Sequence, residues 1–332
     1  MDKSLLSRQV SDGDETPRFG MLETIREYAL EQLESCGEGP ELRGRHLDWR
    51  LALAEKAEAE LFGPAADAWL ARLEREHDNL RAALGEAQAR GQTELGLRLA
   101  IAAHRFWEIH GHQREGRAVL ERLLAADSPS IARRVRMKAL RAAGWLSVSL
   151  GDLDRAETPL MAGYALAVAL DDQPFRLGLL SNLAWLAYWQ RDLDRAGARC
   201  HEALALAREA GNNQEYAYLL MCQGHIVAQA ENDLGHTMEL YSESLAHFRR
   251  QGDQYGAAIA LDNLGDKAVL LGAYETASTY YQEALVIERT LGNVSGISGL
   301  PHSLLGLGDV ALEQGNYEQA MALYEESLGL SR

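Results

Sequence analysis

Apolar residues recur at helical spacing in short blocks, and the blocks themselves return at intervals of 40 to 43 residues. In NLGDKAVLLGAYETASTYYQEAL, from Asn263 to Leu285, the residues Leu264, Ala268 and Leu271 share one helical stripe. Gly272 then interrupts the run, and Ala277, Tyr281 and Ala284 form a second stripe. The stretch GLGDVALEQGNYEQAMALYEESL, from Gly306 to Leu328, repeats the scheme. Each block predicts two helices around a turn, with Gly272 supplying the left-handed conformation that ends the first. Gly265 and Ala277 are small because the two helices must approach closely, while Tyr274 and Tyr281 fill the space between blocks. Neither helix alone can bury its stripe, so the pattern predicts stacked pairs that need neighbours.

The register extends through most of the chain. Gly111, Gly151, Arg191, Asn232, Gly272 and Gly315 take the turn position at intervals of 40, 40, 41, 40 and 43. Five residues later come Gly116, Ala156, Ala196, Thr237, Ala277 and Ala320, nearly all small. Two residues after the turn come Gln113, Leu153, Leu193, Leu234, Tyr274 and Tyr317, mostly large and apolar. Gly211, Gly252 and Gly292, each followed by Asn or Asp, read as stops between pairs. This pattern resembles the tetratricopeptide repeat, a helix-turn-helix unit with small residues, a glycine turn and aromatics at these offsets. The resemblance implies an all-α, right-handed α-solenoid of tetratricopeptide-like helix pairs, about six of them over residues 93–332. The period exceeds the usual ~34 residues, which predicts longer second helices or connections. Pro159 falls early in a second helix and is expected to delay or kink its start.

Before the repeats the pattern changes. LLSRQV, SDGDET and PRFGML read as two short strands around a turn, followed by a helix from Glu23 to Leu33. Cys36 to Pro40 is a break, Leu42 to Leu61 an amphipathic helix ended by Gly63 and Pro64, and Ala65 to Glu76 and Asp78 to Ala89 a further pair with Asp78 or its neighbour as N-cap. RFGMLETIREYALEQL (Arg18 to Leu33), RHLDW around His46 and LEREHDNLRAAL (Leu73 to Leu84) resemble the bacterial STAND-class signal-transduction ATPases, many of them transcription regulators with LuxR-type or SARP-type DNA-binding domains. That resemblance implies a small winged-helix remnant over 1–34, linker helices over 41–92 and a tetratricopeptide-like array over 93–332. The array stops inside a second helix without a polar capping unit, as expected of a chain cut from a longer one. The family's ATPase does not carry over, because no GxxxxGK[ST] loop is present to hold phosphates. No DNA-reading helix-turn-helix is recognisable either.

Charge and chemistry narrow the function. A net charge of −16 opposes direct nucleic-acid binding by this segment, since phosphate contacts need a basic surface. No apolar run is long enough for a membrane span and Met1 opens a polar stretch, so a cytoplasmic location is expected. The three cysteines, Cys36, Cys200 and Cys222, are widely spaced and fit a reduced protein, with Cys200 at a core position. NVS at Asn293 matches a glycosylation acceptor, which has no meaning without secretion. His110 and His112 flank the Gly111 turn, but the sequence shows no third and fourth ligand, so no metal or other cofactor is expected. GLGD at Gly306 sits where the repeat requires small contact residues, which removes it as a phosphate loop. With no acid–base or nucleophile constellation, the chain is expected not to be an enzyme.

A binding surface remains. In tetratricopeptide arrays the first helix of each pair lines the concave face, which the resemblance places at positions one and four residues after the small contact residue. After Gly144 and Ala184 these are Trp145 and Trp185, then Val148 and Tyr188. Lys138 and Arg141 precede Trp145 on the same stripe, and later pairs add His225, Asn263, Asp262, Asp266 and Asp309. The predicted groove is basic and aromatic at one end and acidic at the other, fitting a peptide or small effector. Packing of both tryptophans against adjacent first helices is the open alternative. Two functions follow: the sensor arm of a STAND-type regulator, acting on an ATPase domain in cis or trans, or a free-standing adaptor for a partner peptide. Asn182 and Asn263 suit an adaptor that grips a peptide carboxylate, while Asp262, Asp266 and Asp309 oppose it.

Overall fold

The computed structural model describes residues 7–9, 18–63, 65–126, 131–291 and 300–330. Two strands, β1 (Ser7–Gln9) and β2 (Arg18–Gly20), pair antiparallel with Arg8 opposite Phe19. Sixteen helices follow among the described residues. The leading group is α1 (Glu23–Ser35), α2 (Gly39–Glu60), α3 (Ala66–Arg75) and α4 (His77–Ala89). Six pairs come next: α5 (Thr93–Ile109) with α6 (Gln113–Ala125), α7 (Arg133–Ser149) with α8 (Leu153–Ala169), and α9 (Gln173–Trp189) with α10 (Leu193–Ala210). The remaining three are α11 (Asn213–Ala230) with α12 (Leu234–Gln251), α13 (Gln254–Leu270) with α14 (Tyr274–Leu291), and α15 (Leu300–Glu313) with α16 (Tyr317–Leu330).

The turn register is the one read from the sequence, and the backbone shows why. All six turn residues are left-handed, including Arg191 at φ 65° and Asn232 at φ 53°, which accept a conformation that glycine adopts without cost. Gly211 and Gly252 end α10 and α12 in the same way. Polar residues then restart the chain. The side chains of Asp172, Asp192, Asn212, Asp233 and Asp253 each accept a backbone N–H three residues ahead, at 2.9–3.3 Å. Gly116, Ala156, Ala196, Thr237, Ala277 and Ala320 are all buried where the helices of a pair meet. At Gly144 an added Cβ would stand 2.5 Å from Leu160, and at Gly265 2.6 Å from Tyr281, so these close approaches exist only without a side chain.

Several expectations are corrected. The extra length of the repeat lies in both helices of a pair, since α9 has 17 residues and α10 18, rather than in the second alone. Pro159 neither delays nor breaks α8, which runs through it; the burial of Ala156, Leu160 and Gly163 on either side outweighs the lost hydrogen bond. No side chain caps α4, and Asp78 instead places its charge in the first turn, where the helix dipole favours it. The winged-helix remnant is not seen among the described residues: beyond the short strand pair there is only α1, which buries none of its residues. The turn SDGDET, Pro64, the stop at Gly292 and the NVS segment lie outside the described residues.

Candidate functional site

First helices touch one another along the array, α5 with α7, α7 with α9, α9 with α11 and α13 with α15. Layers in direct contact lie on the inside of a curved stack, so these helices form its inner face. The curve brings distant pairs together. Arg105 on α5, 5% exposed, donates from Nη1 to Glu108 Oε2 at 2.9 Å and from Nη2 to Tyr218 Oη on α11 at 2.8 Å. Tyr218 donates in turn to Asp253 Oδ2 at 3.1 Å, and Asp253 caps α13 by accepting from Gly256 N. Trp145 Nε1 on α7 donates to the other oxygen of Glu108 at 2.7 Å. The guanidinium is also stacked against Phe62, 4.7 Å from the ring centre, and Tyr255, 4.6 Å away. Burial opposes the charge on Arg105, but Tyr218, Glu108 and Asp253 outweigh it and push its pKa up. Burial likewise raises Asp253, against the pull of Arg105. One buried network thus ties α5, α7, α11 and α13 across the interior.

Sequence reasoning missed most of this network because Arg105, Glu108 and Tyr218 take none of the turn or small contact positions, and Asp253 was read only as following the Gly252 stop. A signal existed: Arg105 and Glu108 stand at i and i+3 inside the mostly apolar run IAAHRFWEI. Charges so placed cannot reach water and must find partners in the protein.

The predicted groove residues divide into three groups. Lys138 and Arg141 lie on α7, with Lys138 Nζ 5.3 Å from the Phe175 ring centre and Arg141 bonded to Asn182 Oδ1 at 2.8 Å and Glu215 Oε1 at 2.5 Å. Trp185, Tyr188 and His225 come together with Trp189 and Tyr241 in one aromatic cluster. Trp185 is 7% exposed and so packs in the core, Tyr188 and His225 are half-buried, and Trp189 is 43% exposed. Burial and then Lys267 push His225 down to about 4, against Asp266, so its imidazole is neutral at neutral pH. Burial raises the Tyr188 phenol. Asn263 is half-buried on α13, and Asp262 is buried and accepts from Ser303 Oγ at 2.6 Å. Asp266 accepts from Tyr281 Oη at 2.7 Å and pairs with His302 at 3.2 Å, while Asp309 accepts from Tyr324 Oη at 2.7 Å. The charges that were to grade the groove are therefore largely paired within the protein, whereas the half-open aromatic cluster is not.

Comparison with known proteins fits this geometry. The family model of the tetratricopeptide repeat matches residues 301–332. Proteins of Mycobacterium tuberculosis and Mycobacterium bovis named as HTH-type transcriptional regulators are 33% identical over 176 residues, 51% of this chain and 19% of theirs. The chain thus spans about a fifth of the length of the curated relatives it matches. Among solved structures, a Rap protein complexed with Competence and Sporulation Factor superposes with a TM-score of 0.61 at 14% identity, covering 88% of this chain and 77% of that one. A STAND protein with a tetratricopeptide repeat sensor from Pyrococcus horikoshii gives 0.52 at 14% identity, covering 98% of this chain and 57% of that one. At such identities the likeness is one of fold. No helix among the described residues is long and apolar enough to cross a membrane. The chain is a stack of tetratricopeptide-type helix pairs, similar in fold to solved repeat proteins and, over half its length, in sequence to part of the HTH-type regulators.

Proposed function

We propose that this chain is a non-catalytic binding scaffold, the sensor arm of a STAND-type transcription regulator, whose inner face takes a peptide or small effector. The observation that carries the reading is the aromatic surface of Tyr188, Trp189 and His225 on first helices α9 and α11, backed by buried Trp185 and without paired charge. Aromatic side chains offer large contact area at low conformational cost, as binding anchors do. The named roles of the similar proteins support the rest: a Rap protein solved with a factor bound, a STAND protein with a repeat sensor, and HTH-type regulators. On this reading residues 1–34 and 41–92 connect the array of 93–332 to an ATPase domain in a cytoplasmic regulator. Binding would act on that domain through unequal affinity for its two states.

Selection of a random-peptide display library on the full chain tests the binding site. Enriched peptides are expected to lose at least about tenfold in affinity for Tyr188→Ala, a truncation of about 1.4 kcal/mol or more, while helical circular dichroism is kept. Absence of enriched peptides, or equal binding by Tyr188→Ala, sinks the groove reading.

A further inference from the structure

The turn between α5 and α6 does more than reverse the chain. Gly111, left-handed at φ 79°, swings His110 and His112 towards the junction of α3 and α4. There Glu74, near the end of α3, presents Oε2 at 3.1 Å from His112 Nε2 and at 3.1 Å from His110 Nδ1. His77, the first residue of α4, has its ring centre 4.0 Å from that of His112. One ligand atom from each of Glu74, His77 and His112 can be chosen so that all three lie within 4.8 Å of one another. These are the further ligands that the sequence alone did not show.

We propose that Glu74, His77 and His112 form a binding site for a divalent transition-metal ion of the zinc class. Two imidazoles and one carboxylate are the donor set that suits such ions, whereas Mg2+ and Ca2+ take oxygen. Tetrahedral ligands at about 2.0–2.1 Å from a metal stand roughly 3.3–3.4 Å apart, close to the Glu74–His112 separation. His77 is 5% exposed and its buried Nε2 makes no hydrogen bond, with the Glu115 carboxylate 3.5 Å away as its charged neighbour. Its surroundings are built as for a ligand. Phe106 packs edge-on against His77 at 5.3 Å and lies 5.2 Å and 5.5 Å from the rings of His110 and His112, giving the cluster an apolar floor. Glu74 remains 46% exposed and His112 24%, leaving an entry path from solvent. His110 shares the Glu74 carboxylate and so orients it, as outer partners of metal ligands do. A water would complete the fourth position.

The ion would clamp α3 and α4 to the α5–α6 turn, independently of what the aromatic cluster binds. Titration of the chelator-treated full chain with Zn2+, and with Co2+ for its visible absorption, is expected to show one ion per chain and a raised Tm. His112→Ala and Glu74→Gln, both at partly exposed side chains, each weaken binding by more than about tenfold. His201→Ala, an exposed histidine on α10, leaves it unchanged. Lack of uptake of either ion, or affinity indifferent to both ligand substitutions, overturns the site.

Discussion

The last two helix pairs and the segment from α3 to α6 use the same secondary structure for opposite ends. In α13–α16 the polar groups of the repeat are satisfied within a pair or by the adjoining pair, as Asp262 is by Ser303 and Asp266 by His302. Tyr281 reaches back to Asp266 and packs on Gly265; Tyr324 reaches back to Asp309 and packs on Gly308, the same arrangement one repeat later. In α3–α6 one charge reaches much further. Arg105 crosses to α11, and His110 and His112 reach α3. The regular repeats close their hydrogen bonds within a pair or with the next one; the irregular part adds a charge that a distant element must satisfy. The degenerate part of a solenoid is therefore where unshared chemistry collects.

The sharpest way to break that contrast is at Arg105. Arg105→Ala leaves Glu108 and Asp253 buried without their counter-charge and is expected to cost about 3–5 kcal/mol in urea unfolding. The matching change in the regular end, Asp309→Asn, removes charge from an exposed residue and should stay within about 0.5 kcal/mol. Equal losses at the two sites would show that the network spanning the interior carries no special weight.

A second comparison sits inside the regular end. Gly265→Ala drives a methyl group into Tyr281, which is 2% exposed and tied to Asp266, and should lower stability by about 1–3 kcal/mol. Gly308→Ala meets Tyr324 just as closely, but that ring is only half-buried and can swing aside, so the loss should be smaller. A reversed order in thermal melts would mean that the two repeats are not packed alike.

How much of this was legible follows from what a sequence encodes locally. The turns were visible because a left-handed residue must recur once per pair, and the small contact positions because each faces its own partner helix. Even Arg191 and Asn232, which are not glycine, kept the register. The inner-face network was not visible, because Arg105 and Tyr218 are brought together only by the curvature of the whole stack, and curvature sums small rotations that no single repeat displays. Glu74 and His77 were hidden for a related reason: they stand 38 and 35 residues before His112, across a helix pair without a clean register. For Trp185 the spacing could not distinguish a core residue from a groove residue, because both faces of a first helix are apolar; the residue is 7% exposed.

The smallest effects should come from two histidines whose titrations run in opposite directions. His225, inside the aromatic cluster, has its pKa pushed down to about 4, below the unfolded value of about 6.5. The unfolded chain therefore takes up the proton first, and stability falls as pH drops from about 6.5 towards 4, by on the order of 1–2 kcal/mol after allowance for partial exposure. His302 is raised to about 9, chiefly by its hydrogen bond to Asp266. Its contribution is complete below about pH 6.5 and is lost as pH rises through 9; at 45% exposure it amounts to less than about 1 kcal/mol. Denaturant midpoints measured across this range should show His225→Gln flattening only the acid limb and His302→Gln only the alkaline one. If His302→Gln instead flattens the acid limb, the Asp266 pairing is not what sets its protonation, and the contact between the last two pairs loses its electrostatic part.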